Sequence, residues 1–242
     1  MTHYQIIRKP IVILTALLFH VLLIFHLLFS PVIIVVASQN GIINASFVAF
    51  LVIFCLLLFF GRAYCSWFCP GCGIQEVVSI FVKRKAKSGK ANYIKYFIFT
   101  IWMGFIVVGY LINGIHQVDL AFGIANITVM RKIILTVGAF LIIVPLTAIF
   151  GRFASCKYIC WQAPFMILGT AIRDYFHLRG LRLKVVKENC TNCGNCNIGC
   201  PMDIDVMAKV KSGNMQDHEC ILCGNCIDGC KQKVIKYNVE RD

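Results

Sequence analysis

The stretch from 190 to 230 reads Cys190-x2-Cys193-x2-Cys196-x3-Cys200-Pro201, followed by Cys220-x2-Cys223-x2-Cys226-x3-Cys230. These two runs have the same spacing and hold eight of the 14 cysteines in the 242-residue chain. Zinc sites use paired ligands and have no need of a third cysteine placed two residues after the second. A disulfide framework would need an oxidising compartment. Both alternatives therefore explain the spacing poorly.

The repeated spacing predicts two [4Fe–4S] clusters. Three closely spaced thiolates can cap one face of a cluster, so each run supplies three ligands to one cluster and its fourth to the other. The predicted ligand sets are Cys190, Cys193, Cys196 and Cys230 for the first cluster, and Cys220, Cys223, Cys226 and Cys200 for the second. We therefore expect the chain to transfer single electrons.

The first 185 residues are strongly apolar. Hydrophobic residues make up 59% of the chain and its mean hydropathy is +0.76, both above the values of a soluble domain. A helix needs about 20 apolar residues to cross a bilayer. Four stretches come near or exceed that length: 10–37, 44–60, 94–112 and 132–150. The first contains Pro31, which predicts a kink or an end there.

The predicted fold class is therefore a membrane α-helical protein. A four-helix transmembrane bundle occupies residues 1–185, and a small α+β two-cluster ferredoxin-like domain occupies residues 186–242. The distribution of Lys and Arg predicts the orientation, because they collect before the first stretch, after the second and after the fourth. We expect a multi-pass protein of the inner cell membrane, with both termini, the 62–93 loop and the ferredoxin-like domain cytoplasmic. Segments 38–44 and 113–131 would then lie outside.

The net charge of +13 reflects this topology. Residues 1–185 carry 17 basic and three acidic side chains, whereas residues 186–242 carry seven basic and eight acidic ones. The positive excess thus belongs to the membrane part, where it would contact anionic lipid head groups. No basic patch carries a nucleic-acid-binding motif, so we expect no nucleic-acid partner.

The second and fourth apolar stretches end in similar sequences. Phe-Gly-Arg at 60–62 precedes Cys65-x3-Cys69, and Phe-Gly-Arg at 150–152 precedes Cys156-x3-Cys160. We call segments 65–69 and 156–160 the two corners. The internal duplication predicts a pseudo-two-fold bundle whose corners face each other at the cytoplasmic surface.

The chemistry of the corners leaves three readings open. Cysteines at i and i+4 share a helical face, and the helix start at Pro70, together with Arg62 and Arg152, predicts lowered thiol pKa values. Cys65, Cys69, Cys156 and Cys160 could hold a metal or a further iron–sulfur cluster, act as redox thiols, or be buried structural cysteines.

Two further cysteines receive no role. Cys72 completes the Cys-x3-Cys-x2-Cys spacing of a radical-SAM cluster, but that chemistry requires a soluble barrel. Cys55 lies within an apolar stretch, where we expect it to pack.

The first apolar stretch contains His20 and His26. Imidazoles inside a membrane are candidate functional groups, and these two could donate hydrogen bonds to a quinone. Alternatively, they bond backbone carbonyls or a neighbouring helix. A bis-histidine haem is disfavoured, because the other three stretches contain no histidine and one helix cannot supply both axial ligands.

Four membrane helices, two Cys-x3-Cys corners and a two-cluster segment resemble the NapH/NosR-type ferredoxin-like membrane proteins, and NapH most in layout. The family's corners usually read Cys-x3-Cys-Pro. Cys69-Pro70 matches this pattern, whereas Cys160 is followed by Trp161. The resemblance implies a membrane-bound electron-transfer subunit of quinol dehydrogenase type, which links the quinone pool to a partner oxidoreductase.

Two other functions fit the sequence. The protein could be a membrane thiol or metal reductase or assembly factor that acts at the corners, or a cluster-bearing membrane anchor. The chain has no nucleotide fingerprint or phosphate loop, so catalysis on a metabolite is not expected. The expected partners are membrane lipid, redox subunits and quinone.

Overall fold

The computed structural model describes residues 3–24, 31–122 and 129–240. These residues are mostly helical. Their α-helices are α1 (His3–Ile24), α2 (Pro31–Gln39), α3 (Ala45–Phe60), α4 (Ala63–Trp67), α5 (Pro70–Val78), α6 (Ile94–Asn113), α7 (Val129–Phe150), α8 (Ala154–Tyr158), α9 (Gln162–Tyr175), α10 (Asn195–Gly199), α11 (Val206–Ser212) and α12 (Asn225–Asp228). The strands are β1 (Ile42–Ile43), β2 (Gln117–Val118), β3 (Gly180–Val185) and β4 (Ile235–Glu240).

Three of the predicted apolar stretches coincide with single helices, α3, α6 and α7. Local capping sets the limits of α3: the Asn44 side chain accepts a hydrogen bond from the Phe47 backbone N–H at 2.9 Å, and Gly61 ends the helix at a φ of 55°. The first stretch instead contains two helices. α2 begins at Pro31, whose fixed φ suits a first helical turn.

Two helices in the described ranges are long and apolar enough to cross a bilayer. The qualifying segments are Tyr4–Val21 and Lys90–Asn113, whereas Ala45–Phe60 and Thr136–Phe150 form shorter apolar helices. The fold is therefore mostly helical with two candidate membrane helices, and the predicted four-span bundle goes beyond this observation.

The two halves of the duplicated region pack reciprocally. α5, which follows the first corner, lies against α7 of the second half, and α9, which follows the second corner, lies against α3 of the first half. α1 also packs closely on α5. A Cβ atom at Gly73 of α5 would lie 2.4 Å from the Val12 carbonyl oxygen of α1, so only glycine permits this approach.

Aromatic side chains fill the space between α3, α6 and the start of α9. The Trp102 and Trp161 rings lie 4.8 Å apart, and Phe50 contacts Trp161 at 5.1 Å between ring centroids. Such tilted pairs add to the free energy gained from apolar burial alone. They fix the second corner, which directly precedes Trp161, against the first half of the chain.

The predicted outer segments meet at the end of the helices opposite the corners. β1 and β2 pair in parallel, with Ile42 opposite Gln117. The His116 backbone N–H donates to the Gly41 carbonyl at 2.9 Å, and the Tyr110 hydroxyl donates to the Ile42 carbonyl at 2.9 Å. The two connections are thus held together on one side of the helical part.

The carboxyl-terminal part is built on an antiparallel pair, β3 and β4, with Leu183 opposite Tyr237. The short helices α10, α11 and α12 lie between these strands in sequence. Strand β3 covers 180–185 and so precedes the predicted boundary at 186. Because β3 pairs with β4, residues 180–185 belong to the same sheet as the ferredoxin-like part.

Candidate iron–sulfur and thiol site

The cysteines of the two carboxyl-terminal runs surround two separate cavities. The outer cysteine cavity is lined by Cys190, Cys193, Cys196 and Cys230. The inner cysteine cavity is lined by Cys200, Cys220, Cys223 and Cys226. Each cavity brings together three cysteines of one run and the last cysteine of the other. These are the same sets as those predicted from the sequence.

Glycines shape the two cysteine loops. Gly194 and Gly224 each follow the second cysteine of a run and have φ values of 72° and 76°, a left-handed conformation that glycine adopts without strain. The two runs are also joined, because the Asn225 side-chain amide donates to the Gly199 carbonyl at 3.1 Å. The loops thereby bring four cysteines to the lining of each cavity.

The donor chemistry fits iron–sulfur clusters, since each cavity offers four thiol ligands. Burial raises the pKa of the Cys220 thiol to about 12 and that of the Cys223 thiol to about 11. Iron binding must therefore supply the free energy that ionises these thiols. Cys193 differs: it is exposed, and hydrogen bonding to the Asn195 backbone lowers its pKa. Cys193 is thus the most accessible of the eight cysteines in the two runs.

The two corners come together, and Cys72, which follows the first corner, contacts the second corner. Its Sγ atom lies 3.3 Å from Cys156 Sγ, although the sequence pattern predicts no role for Cys72. Cys65, Cys69 and Cys160 interact electrostatically with this group. In the described part of the chain, no three His, Cys, Asp or Glu side chains already stand in metal-ligating positions. A metal at the corners therefore remains a proposal.

Gln75 holds the second corner in place. Its side-chain nitrogen donates to Cys156 Sγ at 2.9 Å, and its oxygen accepts the Ser155 and Cys156 backbone N–H groups at 3.1 and 3.4 Å. The side chain is 1% exposed. Because Gln75 belongs to α5 of the first half, it joins the two corners directly.

Burial dominates the electrostatics of the corner thiols. It raises the pKa of Cys65 to about 12, against the opposing effect of Arg62, and raises the pKa of Cys160 well above its ordinary value. The prediction of lowered values is therefore wrong for these two. The pKa of Cys69 is lowered to about 7 by hydrogen bonding to the Cys72 side chain and to the first N–H groups of α5.

A cavity of about 270 Å³ adjoins the corners, and we call it the corner cavity. Cys69, Cys156 and Cys160 line it together with mostly apolar side chains. Those apolar residues include Phe19, Ile142, Ile143, Ile159 and Trp161. An apolar cavity with a few convergent polar groups is the usual form of a small-molecule site.

Buried cations connect the first corner to the loop before Cys220. The Arg62 guanidinium donates to the His218 carbonyl at 2.6 Å and to the Glu219 carboxylate at 3.3 Å. Lys95 contacts the same carboxylate at 2.5 Å. Although burial alone would raise the pKa of Glu219, Arg62 and Lys95 hold it below its ordinary value. Glu219 is thus ionised at neutral pH and joins the two parts of the protein.

Lys157 makes a similar connection from the second corner. It is 1% exposed, and its ammonium donates to the Ala86 and Met202 carbonyls, each at 2.8 Å, and to the Ser88 hydroxyl at 2.9 Å. Lys157 directly follows Cys156, and Met202 lies two residues after Cys200 of the inner cavity. The second corner and the inner cavity therefore share one buried hydrogen-bonded junction.

Helix α1 forms a third connection. Arg8, 1% exposed, donates to Glu76 at 2.8 Å and to the Ser66 carbonyl at 3.0 Å, next to Cys65. The Gln5 side chain donates to the Cys223 carbonyl at 2.8 Å. One turn of α1 thus contacts both the first corner and the inner cavity.

His20, one of the two histidines predicted to bind a quinone, contacts the backbone of its own helix. His20 Nδ1 lies 2.6 Å from the Ala16 carbonyl of its own helix, and its ring lies 5.0 Å from that of Phe140. This agrees with a backbone-bonded histidine. His26 lies outside the described residues. A quinone site at these histidines stays a prediction.

Comparisons with known proteins identify the cofactor. Residues 45–88 and 133–172 match the family described as 4Fe-4S binding domain, and residues 189–235 match the family described as 4Fe-4S dicluster domain. The first match falls on both halves of the duplicated region. The chain is 27% identical over 226 residues to an uncharacterized protein of Methanocaldococcus jannaschii, with 87% of each chain covered. No solved structure matches the chain. The protein is therefore a ferredoxin-like iron–sulfur protein that binds two [4Fe–4S] clusters.

Proposed function

We propose that this protein is a membrane-bound electron-transfer subunit that carries single electrons between the quinone pool and a partner oxidoreductase. The observation that carries the proposal is that buried side chains connect the inner cysteine cavity to the two corners. Arg62, Lys157 and Arg8 make these contacts and are each 1% exposed. Electron transfer between a partner protein and the helical part requires such a junction.

The proposed ligands are the two exchanged sets, and the cavities lined by four cysteines each support them. When bound, [4Fe–4S] clusters supply one-electron redox chemistry whose potential depends on hydrogen bonds to sulfur and on solvent exposure. The chain gives the two sites different surroundings. Cys193 is exposed beside the outer cavity, whereas Cys223 and Cys226 are buried at the inner one. A partner protein would therefore meet the outer cavity first.

The proposed path then runs from the inner cavity to the corners. Buried side chains, including Met202, Cys223, Cys72 and Cys156, form one continuous packed core between them. Lys157 fixes the Met202 loop, and the Trp67 indole N–H donates to the Leu222 carbonyl at 3.4 Å. These contacts pack the inner cavity against the corner region.

We further propose that α1 with α2, α3, α6 and α7 cross the membrane and that the corners face the cytoplasm. The apolar side chains exposed along these helices support contact with lipid, such as Leu14, Phe59 and Leu111, which are 65%, 60% and 78% exposed. The pairing of β1 with β2 supports a common side for the two outer segments. The Lys and Arg distribution favours the cytoplasm for the corners.

Reduction by a quinol tests the proposed function. With purified protein in detergent, we expect a water-soluble quinol analogue to bleach the visible absorbance of the oxidised clusters, as dithionite does. The matched variant His20→Phe keeps an aromatic ring against Phe140 and tests whether the His20 imidazole contributes to reduction by the quinol. If dithionite reduces the clusters and the quinol does not, the link to the quinone pool is refuted.

Labelling from outside the cell tests the orientation. Gln117→Cys in β2 is expected to react with a membrane-impermeant maleimide in intact cells, because its side chain is exposed. Lys87→Cys, in the loop beside the second corner, is expected to react only after cells are opened. The opposite labelling pattern would refute the proposed orientation.

A second candidate function is thiol or metal reduction at the corners. It is favoured by the contact between Cys72 and Cys156 and by the corner cavity beside it. The five corner-region sulfurs could also hold a metal or a further cluster, with Cys65, Cys69, Cys156 and Cys160 as the ligands proposed from the sequence. An iron and acid-labile sulfide count separates the possibilities: about eight irons per chain match two clusters alone, and a clear excess indicates a further one.

A further inference from the structure

The sulfur atoms of Cys72 and Cys156 are placed within reach of a covalent bond. Their separation of 3.3 Å exceeds the length of a disulfide by only about 1.2 Å. Cys72 is 1% and Cys156 8% exposed, and each belongs to a different half of the duplicated region. Both sulfurs are therefore shielded from bulk solvent and held against each other by the packing of α5 on the second corner.

We propose that Cys72 and Cys156 form a redox-active pair that takes up two electrons, one from each [4Fe–4S] cluster. The inference deepens the proposed electron-transfer function and rests on it. In the oxidised pair a disulfide joins the two sulfurs. On reduction this bond breaks, each sulfur gains one electron and one proton, and each of the two reduced clusters gives up one electron. Two one-electron carriers thus match one two-electron pair.

The location of the pair suits this role. Cys72 and Cys156 belong to the same packed core as Cys200 and Cys223 of the inner cavity. Lys157, the residue after Cys156, binds the Met202 carbonyl at 2.8 Å. The pair therefore lies at the end of the path that starts at the clusters, without an intervening solvent layer.

Gln75 acts as a positioning residue for the pair. Its oxygen fixes the Ser155 and Cys156 backbone N–H groups, while its nitrogen donates to Cys156 Sγ at 2.9 Å. Because Gln75 and Cys72 both belong to α5, Gln75 thus holds Cys156 Sγ beside Cys72.

The corner cavity indicates which sulfur meets an acceptor. Cys156 lines this cavity, whereas Cys72 is not among its lining residues. The Cys156 thiol would lose its proton and attack a disulfide held there, which forms a mixed disulfide and releases one thiolate that takes up that proton. The Cys72 thiol would then lose its proton and attack Cys156 Sγ, which restores the internal disulfide and releases the second thiolate to take up the second proton. The apolar lining favours a disulfide with apolar substituents.

Peptide mapping of the full-length protein tests the pair directly. Protein purified without oxygen is poised with its clusters either oxidised or reduced by dithionite, quenched in acid, alkylated and digested. We expect a disulfide-linked peptide joining Cys72 to Cys156 in the oxidised sample. In the reduced sample, both residues should be alkylated and two more thiols should be counted per chain.

Three results would overturn the inference: alkylation of both cysteines in the oxidised sample, a different pairing such as Cys65 with Cys69, or protection of both residues under reduction by a bound metal. If the clusters change redox state while the pair does not, only the pair is refuted. If dithionite reduces the disulfide equally well in a chain that lacks iron, the clusters are not its electron source and the role of the pair is refuted, whereas the proposed electron-transfer function still depends on the quinol test.

Trapping tests the order of the two sulfurs. Reduced Cys72→Ser protein, desalted and mixed with diphenyl disulfide, is expected to retain a thiophenyl adduct on Cys156. The wild type should release two thiophenols per chain and retain none there. Cys55→Ser serves as the matched control, because Cys55 is an exposed cysteine of α3 outside the site. An adduct on Cys72 in Cys156→Ser and none on Cys156 in Cys72→Ser would reverse the order and refute the assignment. Should Cys72→Ser fail to fold, the wild-type mapping still decides whether the pair exists.

Discussion

Replacement of Cys200 by serine is expected to remove about half of the iron, from about eight atoms per chain to about four. Cys200 belongs to the first cysteine run but lines the inner cavity with three cysteines of the second run. Its loss should therefore empty the inner site and leave the outer site loaded. Iron analysis together with alkylation of the free thiols measures the effect.

The pattern of alkylation decides between exchanged and unexchanged ligands. With exchanged ligands, Cys220, Cys223 and Cys226 become reactive in Cys200→Ser, while Cys190, Cys193 and Cys196 stay protected by iron. Cys230→Ser should give the reverse pattern. If Cys200→Ser instead exposes the cysteines of its own run, the proposed ligand sets are incorrect. Cys55→Ser provides the control that keeps all eight ligands.

Replacement of Arg8 by methionine is expected to destabilise the protein by roughly 3–5 kcal/mol, because it leaves a buried carboxylate without its closest partner. Glu76 is 7% exposed, and Arg8 is the nearer of its two cationic contacts, at 2.8 Å against 3.5 Å for Lys9. The substitution also removes the hydrogen bond to the Ser66 carbonyl. A lower midpoint of thermal unfolding, followed with the protein in detergent, would report the loss.

A paired substitution gives the matched control. Arg8→Met combined with Glu76→Gln removes the unpaired charge and should recover a large part of the lost stability. Lys9→Met, which alters the more exposed partner, should change the midpoint little. Equal effects of Arg8→Met and Lys9→Met would contradict the assigned importance of the buried pair.

The lengths of the apolar stretches and the spacing of the cysteines predicted much of the helical layout and the two cysteine sets. The stretches 44–60 and 94–112 coincide with α3 and α6 because capping residues and charges bound them closely. The cysteine sets around both cavities follow from spacing, since three thiols of one run cannot close a four-ligand site alone. The described residues of the first apolar stretch belong to two helices, α1 and α2, and α2 begins at Pro31, where the sequence predicts a kink or an end.

Tertiary contacts explain what the sequence did not reveal. No role was predicted for Cys72, because the local sequence does not show that α5 packs against the second half of the duplicated region. This packing brings the Cys72 sulfur to Cys156. The thiol pKa values of Cys65 and Cys160 were predicted from nearby charge, but desolvation is the larger effect and depends on packing. From the sequence, Arg8 was interpreted as a positive charge at the membrane surface. In the structure it is buried against Glu76, which lies 68 positions further along the chain.

The contact of Gln5 with the Cys223 carbonyl has a consequence for biogenesis. These residues lie 218 positions apart, so α1 cannot complete this contact until the loop that carries Cys223 has been made. Contacts between such distant residues form late, because the intervening chain must first be ordered. A nascent or truncated chain therefore leaves this side of the inner site open to iron–sulfur donors. Docking of α1 on this site can follow only after synthesis of the cysteine loop that it contacts.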